Sequence, residues 1–288
     1  LMAAWKLGAS LAVGCTVVLK PASYTPLSAL YLAKLIQEVD FPEGVINIVP
    51  GPGGETGDAL VEHVLVDKIA FTGSTIIGKE IMQKASKTLK RVTLELGGKS
   101  PNIVLPDADI KRAVAGISHG IMFNQGQVCC AGSRAFVHKS MYDKFVSELR
   151  EYTKKIKQGN GLLKNTVMGP LVSQKQQQDV LKYVAKGKEE GAELISGGKS
   201  PFDKGYFVEP TVFANVDNKM TIAQEEIFGP VVSVIKFDDI DDLVSKANDS
   251  IYGLASGIWT NNLKDAHVIA GRLKAGTVWV NCYNVFDA

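Results

Sequence analysis

The feature that most constrains this chain is the regular alternation of short β-branched runs with amphipathic stretches through its first hundred residues. Val13 to Leu19 reads as a strand that Lys20-Pro21 stops. Thr25 is placed to cap a helix, with Pro26 at its first position and Leu27, Leu30, Tyr31, Leu35 and Ile36 along one side. Pro42-Glu43-Gly44 turns the chain into a strand over Val45 to Val49. A short helix near Glu55 to Glu62 then leads to a strand at Lys68 to Phe71, and a helix from about Thr75 to Lys87 to a strand at Arg91 to Leu96. Strand, helix, strand at this spacing predicts an α/β fold with a parallel sheet covered on both faces.

Beyond residue 97 the pattern is still α/β, with longer helices. Asp109 to Phe123, Met141 to Ile156 and Ser173 to Glu190 are amphipathic. Strands are expected at Ala135 to His138, Tyr206 to Phe213, Val231 to Phe237, Leu254 to Trp259 and Thr277 to Asn281. Gly97-Gly98, directly after a strand, is the expected boundary between a domain over 1–97 and a second over 98–288. Both ends of the chain break off inside a pattern, so the expectation is a piece of a longer protein.

Composition narrows the function classes. Lysine and arginine outnumber the acidic residues by 32 to 30, a net charge of +2, so no sequence-independent attraction to nucleic acid is expected. No apolar run approaches the roughly 20 residues of a membrane-spanning helix, and no membrane partner is expected. The four cysteines, Cys15, Cys129, Cys130 and Cys282, with two adjacent, do not form a disulfide framework. They fit a reducing, cytoplasmic compartment. Without a C-x-x-C pair or a histidine nearby in sequence, no metal site is expected.

Three segments hold residues that can carry chemistry. In Phe123-Asn124-Gln125-Gly126-Gln127-Val128-Cys129-Cys130 a thiol sits among small residues after a predicted helix, where a thiolate is reachable. A buried structural cysteine is the other reading of the same residue. In Leu94-Glu95-Leu96-Gly97-Gly98 a carboxylate ends an apolar strand, where burial raises a pKa and suits a general base. An exposed edge-strand glutamate is equally open. In Phe71-Thr72-Gly73-Ser74-Thr75-Ile76-Ile77-Gly78 a glycine turn enters a helix whose first N–H groups can hold a phosphate, or the glycines serve the turn alone.

Together these segments resemble the aldehyde dehydrogenase superfamily, over essentially the whole chain and in the same order. Glu95 lies in the family's glutamate motif and Cys129 in its G-Q-x-C motif, while Gly73 to Gly78 fits its G-x-T-x-x-G cofactor turn. Gln224-Glu225-Glu226-Ile227-Phe228-Gly229-Pro230 fits its E-E-x-F-G-P segment, and Gly276 to Asn281 a late strand. The resemblance implies a Rossmann-like cofactor-binding domain followed by a second α/β catalytic domain. It also implies a reaction: the Cys129 thiolate attacks an aldehyde, hydride passes to NAD or NADP, and Glu95 activates the water that hydrolyses the thioester. Cys129 rather than Cys130 is the implied nucleophile because it is second after Gln127.

By the same resemblance Lys20 contacts the adenosine ribose and Ser74 the pyrophosphate, with Gly73, Gly78 and Leu96 shaping the cofactor turn. Glu226 and Phe228 grip the nicotinamide ribose and ring, and Gln176 reaches the ribose. Trp5, Phe123 and Phe286 fall where the family lines its substrate tunnel, or else are ordinary core aromatics. A small aldehyde is the implied substrate, and a homodimer or homotetramer the implied assembly of the full-length protein. Ser23 stands where NAD-preferring relatives often carry a glutamate, which implies that NADP is tolerated. The family's oxyanion-hole asparagine lies upstream of Leu1, so the chain alone is expected to be poorly active or unfolded. A coenzyme A-acylating relative lacks the water-activating glutamate, a cysteine hydrolase needs a histidine partner that His63, His119, His138 and His267 do not offer, and a non-catalytic role leaves Cys129 and Glu95 unexplained.

Overall fold

A computed structural model of the chain describes residues 1–286 and divides it into two compact units, Leu1–Leu96 and Gly97 onward. The fold is α/β, as the alternation requires.

The first unit runs α1 (Met2–Ala12), β1 (Val17–Leu19), α2 (Leu27–Glu38), β2 (Ile46–Ile48), α3 (Asp58–Glu62), β3 (Lys68–Thr72), α4 (Thr75–Ala85) and β4 (Arg91–Glu95). Its strands pair in parallel as expected, but as two separate couples, β1 with β2 and β3 with β4. The first strand is shorter than the β-branched run, because Val13 closes α1 and Gly14 turns at φ +79° before Val17 pairs with Ile46. Thr25 does not cap α2. Pro26 takes the cap position without a side-chain bond, and its carbonyl accepts from the Leu30 N–H at 3.0 Å. The apolar centre of β3, β4 and α4 is small: Val61, Ile81 and Ala85, with Ile69, Phe71, Val92 and Leu94 against them.

The second unit holds a seven-stranded sheet in the order β11-β10-β5-β6-β9-β8-β7. Its elements are β5 (Pro101–Val104), α5 (Ile110–Met122), β6 (Arg134–His138), α6 (Tyr142–Thr153), α7 (Gln174–Glu189), β7 (Glu193–Ser196), β8 (Thr211–Ala214), α8 (Thr221–Gln224), β9 (Val231–Phe237), α9 (Ile240–Asn248), β10 (Ala255–Trp259), α10 (Leu263–Ala270) and β11 (Thr277–Val280). All pairings are parallel except β7 with β8 at one edge. Successive residues of a strand point to opposite faces, and the core follows that rule. Phe136, Val231 and Ile235 join α7, α9 and α10 on one face, while Ala135, Val137, Val232 and Val234 join α5 and α6 on the other.

Local chemistry sets the helix starts. Asp109 accepts from Lys111 and Arg112 N–H at 3.0 and 3.2 Å, Ser173 from Gln176 at 3.2 Å, and Asn262 from Asp265 at 3.2 Å. The expected strand at Tyr206 to Phe213 is corrected to Thr211–Ala214, since Pro210 has no N–H to give a ladder and the pairing with β9 begins at Thr211. Strand β5 has no counterpart in the sequence reading, because four residues opening on a proline are too short to show a period.

Candidate active site

In the first unit the expected site residues gather at the carboxyl ends of the strands. Glu95 closes β4 and pairs in register with Thr72, the last residue of β3. It is exposed, the second of the two readings that the sequence left open. Along β4 the residues facing solvent are Arg91, Thr93 and Glu95, while Val92 and Leu94 face inward. The backbone carbonyl of Glu95 accepts from the Gly73 N–H at 3.0 Å, tying the glutamate strand to the glycine turn. Side chains at Gly73 and Gly78 have no room: a Cβ at Gly73 would strike the Phe71 ring and one at Gly78 would lie 2.6 Å from the Leu96 side chain. Ser74 caps α4, its hydroxyl accepting from the Ile77 N–H at 3.4 Å. Further along the chain, Lys20 and Ser23 both donate to the Gly51 carbonyl, at 3.4 and 3.3 Å, and Lys20 also to that of Pro21 at 2.7 Å.

One residue here escaped the sequence reading. Lys6 of α1 donates to the Thr72 hydroxyl at 2.7 Å. Partial burial lowers its pKa, and the Glu95 carboxylate works against that shift. Lys6 is therefore a cation within electrostatic reach of the candidate base. Trp5, its neighbour, is half-exposed on the same helix.

In the second unit three loops converge at the amino ends of β5, β6 and β9. The cysteine loop is strained. Asn124, Gln125 and Gly126 take φ of +48°, +57° and +70° in succession, a left-handed run that Asn and Gly tolerate and Gln does not. It is held from both sides: Asn124 Nδ2 donates to the Gln127 carbonyl at 3.0 Å, and the Val172 N–H donates to Gln127 Oε1 at 3.0 Å. A Cβ at Gly126 would strike the Gly229 carbonyl, so the loop lies directly on the 224–230 segment. Such strain persists only where surroundings over-determine it, at about 1–3 kcal/mol per residue, and such positions cluster at functional sites.

Cys129 emerges from this loop half-buried, while Cys130 is buried. The Cys129 pKa is lowered to about 7, first by a hydrogen bond from the Cys130 thiol and then by backbone N–H groups, against partial burial and the Glu226 charge. The Cys130 thiol is pushed far up by donating that bond and by burial. Its single proton has a second acceptor, Asn284 Oδ1 at 3.4 Å. Both cannot be satisfied at once, and we take the bond to Cys129 to form when that sulfur is ionised.

Gly97 and Gly98 pack closely against the Glu226 carboxylate and the Cys129 backbone. A Cβ at Gly98 would strike the Cys129 carbonyl, and one at Gly97 the Glu226 carboxylate. Glu226 Oε1 accepts from the Gly98 N–H at 3.2 Å, and burial raises the Glu226 pKa. Phe228 stands at φ +53°, a real strain for a bulky residue. Gln176 holds it there, donating to the carbonyls of Ile227 at 3.2 Å and Phe228 at 2.8 Å. Gln176, Glu226 and Phe228 share a cleft of about 530 Å³ with Tyr183 and Thr221. Of the remaining expected residues, Phe123 is half-exposed and stacks on His119 at 5.4 Å, and Phe286 packs edge-on against Trp279 at 5.3 Å. Phe123 thus opens the cysteine loop, and neither aromatic is a core residue.

The half-buried Cys129 thiol after a strained loop is the feature of the second unit best placed to carry chemistry. The family profile described as aldehyde dehydrogenase family matches residues 1–288, and the chain belongs to that family. It is 64% identical to a putative aldehyde dehydrogenase, DhaS, of Bacillus subtilis, over 100% of this chain and 58% of that protein. It is 53% identical to the human mitochondrial aldehyde dehydrogenase, over 100% of this chain and 56% of that one. Among solved structures it is similar to an NAD+ complex of aldehyde dehydrogenase from Bacillus cereus, with a TM-score of 0.98 and 56% identity, over 100% of this chain and 58% of that chain. The chain spans somewhat more than half the length of these relatives.

Proposed function

We propose that the protein carrying this chain oxidises an aldehyde to a carboxylic acid with NAD or NADP as hydride acceptor. The observation that carries the reading is the half-buried Cys129 thiol after a strained loop whose Gly126 lies against the Gly229 carbonyl of the 224–230 segment. Three features fit a dinucleotide. The α4 start presents N–H groups beyond the Ser74 cap, as phosphate binding requires. Lys20 and Ser23 stand together at the Gly51 carbonyl. The cleft of Gln176, Glu226 and Phe228 has the size of a small-ligand site. The B. cereus relative was solved with NAD+. When bound, the cofactor supplies the hydride acceptor.

The residues of the chain do the rest. The Cys129 thiolate adds to the aldehyde carbon to give a thiohemiacetal, and loss of hydride leaves a thioester on the sulfur. Glu95 takes a proton from the water that hydrolyses it. Lys6, bonded to Thr72 beside Glu95, keeps that end of β3 and β4 polar. Glu226 and Phe228 would hold the nicotinamide ribose and ring, with Gln176 fixing the Ile227-Phe228 backbone. Trp5, Phe123 and Phe286 are the residues we assign to the small aldehyde on the family resemblance. We take the full-length protein to be a cytoplasmic homodimer or homotetramer.

Ser23 leaves the ribose end without a carboxylate to repel a 2′-phosphate. The expected preference for NAD is accordingly below about 100-fold, roughly 2.7 kcal/mol. Assays of the full-length enzyme with an aldehyde panel, following reduced cofactor by absorbance with NAD and with NADP, test both statements. No reduction with any aldehyde ends the proposal, and a much larger NAD preference ends the second part. Cys130→Ala must retain most of the turnover, because that thiol only supports its neighbour.

A further inference from the structure

The segment that leads into α7 touches the candidate site at three points. It is anchored from behind: the Leu171 N–H donates to the Tyr206 carbonyl at 2.9 Å, and Met168 and Leu171 are buried in the apolar clusters on the two faces of the sheet. Toward the cysteine loop it presents the backbone N–H groups of Gly169 and Val172, on either side of Pro170 and Leu171. The Val172 N–H donates to Gln127 Oε1 at 3.0 Å. The Gln125 amide, turned as its neighbours require, accepts from the Gly169 N–H at 3.0 Å and donates to the Asn124 carbonyl at 3.1 Å. In the first turn of α7, Gln176 donates to the carbonyls of Ile227 and Phe228. One stretch of backbone, 169–176, therefore grips both the cysteine loop and the backbone at 227–228.

We infer that Gln127 is a positioning residue: by taking the Val172 N–H it fixes the Cys129 sulfur relative to the segment whose Gln176 fixes the Phe228 backbone. The inference rests on the reading of Cys129 as the nucleophile. A left-handed run through Asn124 and Gln125 does not hold itself, and persists only where its surroundings over-determine it. Two bonds close the turn on itself, from the Gln127 N–H to the Asn124 carbonyl and from Asn124 Nδ2 to the Gln127 carbonyl, both at 3.0 Å. The bonds that tie it to the rest of the unit are those of the Gln125 and Gln127 side chains. Gln127 lies two residues before Cys129, so it sets the point from which the chain departs toward the sulfur. Val172 is exposed, so water can take over its N–H when the acceptor is lost, and the bond serves geometry more than stability.

The test compares the full-length enzyme with Gln127→Met, which keeps the side-chain length and loses the acceptor, and Gln127→Glu, which keeps an oxygen that accepts. For Gln127→Met the expected result is a cooperative melt, native NAD affinity by fluorescence quenching, and a kcat lower by about 10- to 100-fold, since a misplacement of about 1 Å costs up to that order. Iodoacetamide labelling of Cys129 at alkaline pH, located by mass spectrometry, is expected to run faster in the same variant, because a released sulfur is more open. Gln127→Glu is expected to bring both readouts back toward native. Native kcat or unhastened labelling in Gln127→Met, an equal loss in Gln127→Glu, or a fall in NAD affinity that matches the fall in kcat overturns the inference and makes Gln127 a packing residue. Failure of either variant to melt cooperatively overturns it as well, since the bond would then hold the fold rather than the sulfur. If Cys129→Ala keeps native turnover, the nucleophile reading has failed and the inference falls with it.

Discussion

The two units place their candidate site residues at opposite ends of their strands. In Leu1–Leu96, Glu95 and the Gly73-Ser74 turn follow β4 and β3 at their carboxyl ends, the edge where open α/β sheets ordinarily take ligands. In the unit beginning at Gly97, the segments at 97–100, 123–133 and 224–230 precede β5, β6 and β9, so the site lies at the amino edge of a parallel sheet. The supporting cores differ as well. The first unit has two strand pairs over a three-residue buried cluster, and the second has seven strands with apolar clusters on both faces. The difference extends to where the backbone is left-handed: in the first unit the non-glycine residues with positive φ, Asp40 and Leu89, precede β2 and β4, away from the carboxyl ends. The left-handed run at Asn124 to Gly126 and the positive φ of Phe228 both sit on the heavily packed unit.

The sharpest way to break this comparison is to disable each end in turn. Cys129→Ala in the full-length enzyme is expected to lower turnover by about 10⁴-fold or more, as loss of a nucleophile does. Glu95→Gln is expected to cost about 10² to 10⁴-fold, with the acyl-enzyme accumulating and visible by mass spectrometry. If Glu95→Gln blocks acylation instead, the division of labour between the two ends is wrong.

Arg134→Met probes how much the second unit depends on one buried cation. Three carbonyls and Asn218 lose their donor, so thermal melts are expected to show a loss of about 3–5 kcal/mol. The thiol offers a gentler probe. Alkylation of Cys129 by iodoacetamide should rise with pH through a midpoint at about 7, because only the thiolate reacts. Cys130→Ala removes the largest cause of that low value and moves the midpoint up. An unmoved midpoint would assign the shift to the loop backbone. The smallest effect belongs to the first unit, where Ser74→Ala removes one cap of α4 and should cost about 1 kcal/mol. A larger loss there would mean that the turn is more than a helix start.

Much of this architecture was legible from residue order alone. Periodicity located α5, α6, α7, β3, β4, β6 and β9 to within a few residues, because each has a strong apolar face and a capping or turn residue at its boundary. Elements α9 and α10 went unread although Asp239 and Asn262 cap them, since eight or nine residues carry only two or three buried positions each. Strands β5 and β7, four residues apiece, gave even less to read. Motif order also carried Cys129, Glu95, Glu226 and Phe228, since loop chemistry of that kind is written in contiguous residues.

What residue order could not hold was the environment of each group. That Glu95 is exposed, that Lys6 lies beside it, and that Arg134 and Lys99 are buried with only one of them hydrogen-bonded are all long-range facts. Burial, charge pairing and hydrogen bonding depend on distances between residues far apart in the chain. Only folding sets those distances, so the candidate groups were readable in one dimension and their surroundings only in three.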